Sequence, residues 1–111
     1  SHRWFILKTM GKRFEREVAE ILRQHGFEAR RGVQFRGGQD SPDVISNFPF
    51  HIEAKHVEKL NLQQAIEQAK KDAEGLPFCV IHKKNRTEPL ITVTFQSFLD
   101  LFSGDKKTPE A

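Results

Sequence analysis

SPDVISNFPFHIEAK, residues 41–55, is the stretch that decides the fold. Val44, Ile45, Phe48, Phe50 and Ile52 suit a pleated, buried surface. Asp43, Glu53 and Lys55 intrude on the same segments, and ionised groups are costly to hide unless they are paired or bind a metal. DVIS and FPFHIEAK read as two short strands joined around Asn47, a hairpin. Residues i and i+2 share a face of a strand, so Phe50, Ile52 and Ala54 point into the core while His51, Glu53 and Lys55 point the other way. With DVIS paired beside this strand, Asp43 approaches Glu53 within reach of one cation. Facing carboxylates repel, a divalent ion resolves the conflict, and Mg²⁺ prefers oxygen ligands, including substrate phosphate oxygens. Lys55 on the same face can neutralise phosphate charge, which makes the pattern a candidate for phosphodiester hydrolysis.

Working outward, Gly11 to His25 is helical in pattern: Phe14, Val18, Ile21 and Leu22 recur at one face, and Gly26 is a natural stop. FEARRGVQF (27–35) reads as a strand and RGGQDSP as a loop. Asn61 is a good N-cap for the helix LQQAIEQAKKDAE, with a core stripe at Leu62, Ile66, Ala69 and Ala73 and a stop at Gly75. PFCVIHK is a buried strand, KNRTE a polar turn, PLITVTF a further strand and QSFLDLF a short last helix. The order helix, three strands, helix, two strands, helix predicts an α/β architecture, a mixed central sheet flanked by helices. Residues 1–10 read as an extension, either an appended remnant or an unusual leader, in which WFIL is apolar enough for a short strand. Residues 11–103 form the single domain, and GDKKTPEA (104–111) a frayed tail.

The 111 residues, 37% hydrophobic and 30% charged, suit one globular domain rather than a disordered chain. No apolar run approaches the ~18 residues of a membrane span. The single cysteine, Cys79, cannot form an internal disulfide, and inside PFCVIH it reads as a small buried hydrophobe. A cytoplasmic setting follows. A net charge of +3 permits nucleic-acid binding without requiring it.

A third carboxylate is expected from the first helix. Glu15 lies on the border of the apolar stripe and Glu17 farther round, so Glu15 is preferred. The ordinary reading of Glu17 and Glu20 is a solvated face with ion pairs to Arg13, Arg16 or Arg23. Each piece alone is weak. Their combination is specific: Pro-Asp, ten residues, Glu-x-Lys, adjacent strands, and a glutamate-bearing amphipathic helix upstream.

That combination resembles the PD-(D/E)xK nuclease superfamily, in particular its Holliday-junction-resolvase-like members of small phage and archaeal type, over residues 11 to 102. GKRFER (11–16) matches their Gly-x-x-x-Glu-Arg and also selects Glu15. Gly26-Phe27 matches the step into the first strand, and RGGQDSPDV the glycine-rich approach to Pro-Asp. The resemblance implies a restriction-endonuclease-like core (αβββαβ) and a Mg²⁺- or Mn²⁺-dependent DNA endonuclease of recombination or repair, often a homodimer, in a bacterial, archaeal or phage-infected cell. It needs no small-molecule cofactor. Asp43, Glu53 and Lys55 carry over as the catalytic set. The metal would be held by Asp43, Glu53 and the Ala54 carbonyl, with Glu15 binding a second metal or orienting water. The superfamily often has a glutamine on the following helix, for which Gln63, Gln64 and Gln68 compete. Gln68, in AIEQA, is the one most like the phage proteins. Where many archaeal resolvases carry a functional serine, this chain has Phe35-Arg36-Gly37-Gly38, with Ser41 the nearest substitute.

Arg30, Arg31 and Arg36, with Lys83, Lys84 and Arg86 as a second patch, are the candidate DNA contacts. His51, His56 and His82 look isolated, and none is expected to ligate metal. Two other readings remain: a nicking or repair nuclease acting on flaps or duplex DNA, and a non-catalytic DNA-binding module of the same fold. Trp4, Phe5, Ile6, Phe98 and Phe102 are the apolar candidates for an oligomer surface.

Overall fold

The hairpin and the strand that follows it form the middle of a five-stranded sheet. The structure, a computed structural model, describes residues 2–32 and 43–103. Its elements run α1 (His2–Gln24), β1 (Ala29–Arg31), β2 (Val44–Ser46), β3 (His51–His56), α2 (Leu62–Ala73), β4 (Phe78–Lys83), β5 (Leu90–Thr92) and α3 (Phe95–Phe102). This is the element order that the sequence predicts. The strands lie in the order β1-β2-β3-β4-β5. The β1–β2, β2–β3 and β4–β5 pairs are antiparallel, and β3–β4 is parallel, joined through α2. A parallel pair needs such a crossover, because a tight turn cannot return the chain in the same direction.

The helices cover opposite faces of the sheet. Phe14, Val18, Ala19 and Leu22 of α1 pack on Val44, Phe50, Ile52, Ala54 and Cys79. On the other face Ala65 and Ala69 of α2 pack on Val80. Cys79 is fully buried, and burial pushes its thiol up to about 12, so it is the inert core residue expected.

Three details differ from the sequence reading. The helix expected from Gly11 begins at His2, so WFIL lies in helix and not in a strand. Helix propagation is favourable once a turn exists, and Leu, Met and Lys at positions 7–10 are good helix formers. Ile21 is 36% exposed, and the buried α1 stripe is completed by Ala19 instead.

The third difference is one position of the α2 stripe: Ala69 and Ala73 are buried and Ile66 packs beside them as expected, but Ala65 takes the buried place expected of Leu62, which is 36% exposed. Alanines let a helix axis come close to a sheet, so the smallest residues, not the largest, take the contact. The strand expected at 27–35 is observed for Ala29–Arg31; residues 33–42, which include the expected loop, and the tail 104–111 lie outside the described residues.

Local signals hold where the chemistry is unambiguous. The Asn61 side chain accepts from the Gln64 N–H at 3.1 Å as the α2 cap, Gly26 takes a positive φ of +92° just past α1, and α2 ends on the left-handed Glu74 (φ 50°) followed by Gly75 at +91°. The alanine contact makes a prediction. Ala69→Leu should destabilise the fold by about 1–3 kcal/mol through overpacking, whereas Leu62→Ala should cost far less; urea unfolding of both variants measures the difference.

Candidate active site

Register does the first part of the assembly. Val44 of β2 lies opposite Ile52 of β3, which carries Asp43 to the level of Glu53. The Asp43 carboxylate is then fixed by a hydrogen bond from the Ala54 N–H, 2.8 Å to Oδ2. Glu53 projects to the α2 side of the sheet and is 6% exposed, the one buried charged residue among those described. Lys55, two residues on and on the same face, places Nζ 3.4 Å from Glu53 Oε2.

Glu15 approaches Asp43 from the α1 side, near enough for their charges to interact. Its side chain is 18% exposed and accepts from Arg31 Nε at 3.1 Å. Glu17 lies farther round α1, 41% exposed and 3.9 Å from Lys83. Thus Glu15, not Glu17, stands with the hairpin carboxylates. Glu20 pairs with Arg23 at 2.6 Å on the exposed face, as expected.

The electrostatics tie these carboxyl groups together. Burial pushes Glu53 up to about 7, the charge of Asp43 adds to that and Asp72 adds a little more, while Lys55 opposes the rise. Burial likewise lifts Glu15 to about 7, with Asp43 again raising it and Arg31 opposing. Asp43 itself is raised, first by burial, against the hydrogen bond from Ala54 and the charges of Lys55 and His51. Three carboxyl groups therefore resist simultaneous ionisation, and the cations beside them do not offset the cost. An oxygen-rich, over-acidic set of this kind fits a hard divalent cation such as Mg²⁺ or Mn²⁺.

The α2 face adds two residues. His51, Glu53 and Asp72 each offer a ligand atom, all within 4.8 Å of one another, so His51 is not the isolated histidine that the sequence suggests. The stripe expected from the sequence, Leu62, Ile66, Ala69 and Ala73, leaves Asp72 outside it. Centred on Ala65 and Ala69, at about 100° per residue, Asp72 falls at the sheet-facing edge and Gln68 beside it. Gln68 Nε2 donates to both Asp72 oxygens at 3.0 Å. A cavity of about 440 Å³ next to the site is lined by Lys55, Lys59, Asn61, Gln64 and Gln68, among others. Gln63 bonds Glu67 instead and does not line it. His56 bonds Asn85 and His82 bonds Thr92, both at 2.9 Å.

Of the expected DNA contacts, Arg30, Lys84 and Arg86 are exposed. Arg31 and Lys83 are half-buried in their pairs with Glu15 and Glu17. Arg36 and Ser41 lie outside the described residues.

A protein-family model described as archaeal Holliday junction resolvase (Hjc) matches residues 7–106. Among solved structures, Hjc of Archaeoglobus fulgidus, a Holliday junction resolvase from an archaeal hyperthermophile, is similar at 27% identity and a TM-score of 0.56, over 73% of this chain and 74% of that one. A search of curated proteins found no match.

The raised carboxyl groups predict a pH dependence. Glu53 titrates near 7 in the folded chain and near 4.5 when unfolded, so between those values the folded state holds more protons and its stability falls as pH rises. Without added metal, Glu53→Gln should therefore gain on the wild type by on the order of 1–3 kcal/mol between about pH 5 and 8. Thermal unfolding of the two proteins across that range checks it; parallel curves would contradict it.

Proposed function

The chain belongs to the archaeal Holliday junction resolvase family, and from that membership we propose that it is a Mg²⁺- or Mn²⁺-dependent endonuclease cutting branched DNA at Asp43, Glu53 and Lys55. The observation that carries this reading is the β2–β3 register, which sets two carboxyl groups of raised pKa at one level with a lysine on the same face.

Asp43 and Glu53, with the Ala54 carbonyl, would hold the cation. When bound, it would supply Lewis acidity toward the phosphate and lower the pKa of the attacking water. The remaining work belongs to the chain. The Ala54 N–H holds Asp43 in place, so that little reorganisation is needed when the site fills. Lys55, 38% exposed, can swing from Glu53 toward the developing negative charge on the phosphate. Glu15, steadied by Arg31 and titrating near 7, can orient the attacking water or take its proton. Gln68 lines the cavity beside Lys55 and steadies Asp72.

Positive charge would supply affinity without sequence readout. The exposed Arg30, Lys84 and Arg86 fit phosphate contacts, Arg36 is proposed with them, and Arg31 and Lys83 would act largely by holding Glu15 and Glu17. A four-way junction presents two strands for paired cuts, which calls for two sites and hence a homodimer. α3 supports that reading: it has no buried residue, and Phe98 and Phe102 stack edge to face at 5.1 Å while 45% and 69% exposed.

Two outcomes test the reading. With Mg²⁺, the protein should cut a labelled four-way junction in symmetric pairs and leave linear duplex intact. Lys55→Ala should lower that rate by about 10²–10³ while still binding the junction. Binding without cutting by the wild type would leave a DNA-binding module. In sedimentation, Phe98→Glu should shift a dimer to monomer with the melting temperature of the monomer unit retained; a wild-type monomer at working concentration would count against the dimer.

A further inference from the structure

We propose that His51, Glu53 and Asp72 form a second cation site, selective for a borderline transition ion of the Zn²⁺ class, which shares Glu53 with the nuclease site and so opposes Mg²⁺ there. The consequence for Mg²⁺ rests on the nuclease reading; the site itself does not.

The site has the parts of a metal centre. His51 and Glu53 stand at i and i+2 on the α2 face of β3, and Asp72 comes down from the last turn of α2, with ligand atoms all within 4.8 Å. The His51 Nε2 atom is wholly buried and has no hydrogen-bond partner, a costly state for an imidazole nitrogen unless something binds the ring. Gln68 donates to both oxygens of Asp72 and thereby holds its carboxylate in one orientation, as outer-shell groups do for metal ligands. Nothing in the nuclease reading requires His51 or Asp72 as a ligand, and Gln68 enters it only beside Lys55 in the cavity.

Ligand chemistry decides which ion fits. Two carboxylates and one imidazole suit Zn²⁺ and its neighbours, whereas Mg²⁺ takes oxygen donors. Bond lengths of about 2.0–2.2 Å require the three ligand atoms to close by roughly 1 Å. Asp72 is only half-buried and can supply that movement, and the same exposure leaves a path from solvent. Glu53 cannot serve both ions well: turned toward His51 and Asp72, its carboxylate is drawn away from Asp43. The site would therefore act as an inhibitory one, filled by traces of a transition ion.

Co²⁺, whose visible absorption reports coordination, is the probe. Titrated into the metal-free full chain, it should bind one equivalent with a d–d spectrum that Zn²⁺ displaces and millimolar Mg²⁺ does not. His51→Gln and Asp72→Asn should each weaken binding by about tenfold or more, and Asp43→Asn should leave it within about threefold. Circular dichroism establishes that each variant is folded, and Gln68→Ala, which touches no ligand position, should still weaken binding measurably. No Co²⁺ spectrum, equal binding by His51→Gln, or a loss confined to Asp43→Asn would each overturn the site. In the junction assay, micromolar Zn²⁺ should suppress Mg²⁺-supported cutting by the wild type and spare Asp72→Asn measured against its own Mg²⁺ rate. Equal suppression of both would overturn the inhibitory role. If the protein cuts nothing in Mg²⁺, the nuclease reading fails and the Co²⁺ titration alone decides this one.

Discussion

Burying the Glu53 carboxylate on the central strand of the sheet costs free energy that Lys55, more than a third exposed and 3.4 Å away, does not return. Asp43 is set at the same level by the strand register, and its charge makes the cost larger. A chain selected for stability alone would place an apolar residue at 53, facing α2 beside Val80. The arrangement is therefore a strained one in electrostatic terms, and a divalent cation bound there, as proposed, would relieve it. Much of the molecule serves to hold that strain in one geometry.

Each layer contributes. Ile52 and Ala54 on the α1 face of β3, with Phe50 just before the strand, pack with Phe14 and Val18, so that the opposite face is free to carry charge. The crossover through α2 brings the alanine face close to the sheet and sets Gln68 and Asp72 near Glu53 and His51. Arg31, paired with Val44 across the β1–β2 ladder, turns its guanidinium to Glu15 and completes the site from the other side. The fold thus brings together acids from β3, from α1 and from the residue that leads into β2, near the middle of the sheet. Stability is given up locally there and recovered in the two apolar layers.

Much of this is legible in the sequence for identifiable reasons. Strand alternation has a strict period of two, so the division of residues 50–55 into a core face and a charged face follows from the residues alone. The caps at Asn61, Gly26 and Gly75 are local chemistry and are equally readable. The α2 stripe is readable only in part: Ile66, Ala69 and Ala73 fall on the packed face as expected, but the close approach of the helix buries Ala65 where the larger Leu62 is expected. That small rotation is what brings Asp72 to the sheet-facing margin of the helix. His51 could be placed on the charged face but not beside an acid from another element, because that partner, Asp72, comes from the last turn of α2. Arg31 could be counted as positive charge, yet its pairing with Glu15 depends on how α1 crosses β1.

Glu53, raised to about 7 by burial and by the charge of Asp43, is proposed to give up its proton when a divalent cation binds beside Asp43. Proton release on metal binding tests it most directly. Mg²⁺ is titrated calorimetrically into the metal-free protein near pH 6.5, in buffers of different ionisation enthalpy. Since Glu53 and Glu15 titrate at about 7 without metal, binding should expel roughly one proton per ion, and Asp43→Asn should lose most of the binding. Tight binding with no proton release, or binding unaffected by Asp43→Asn, would contradict the account.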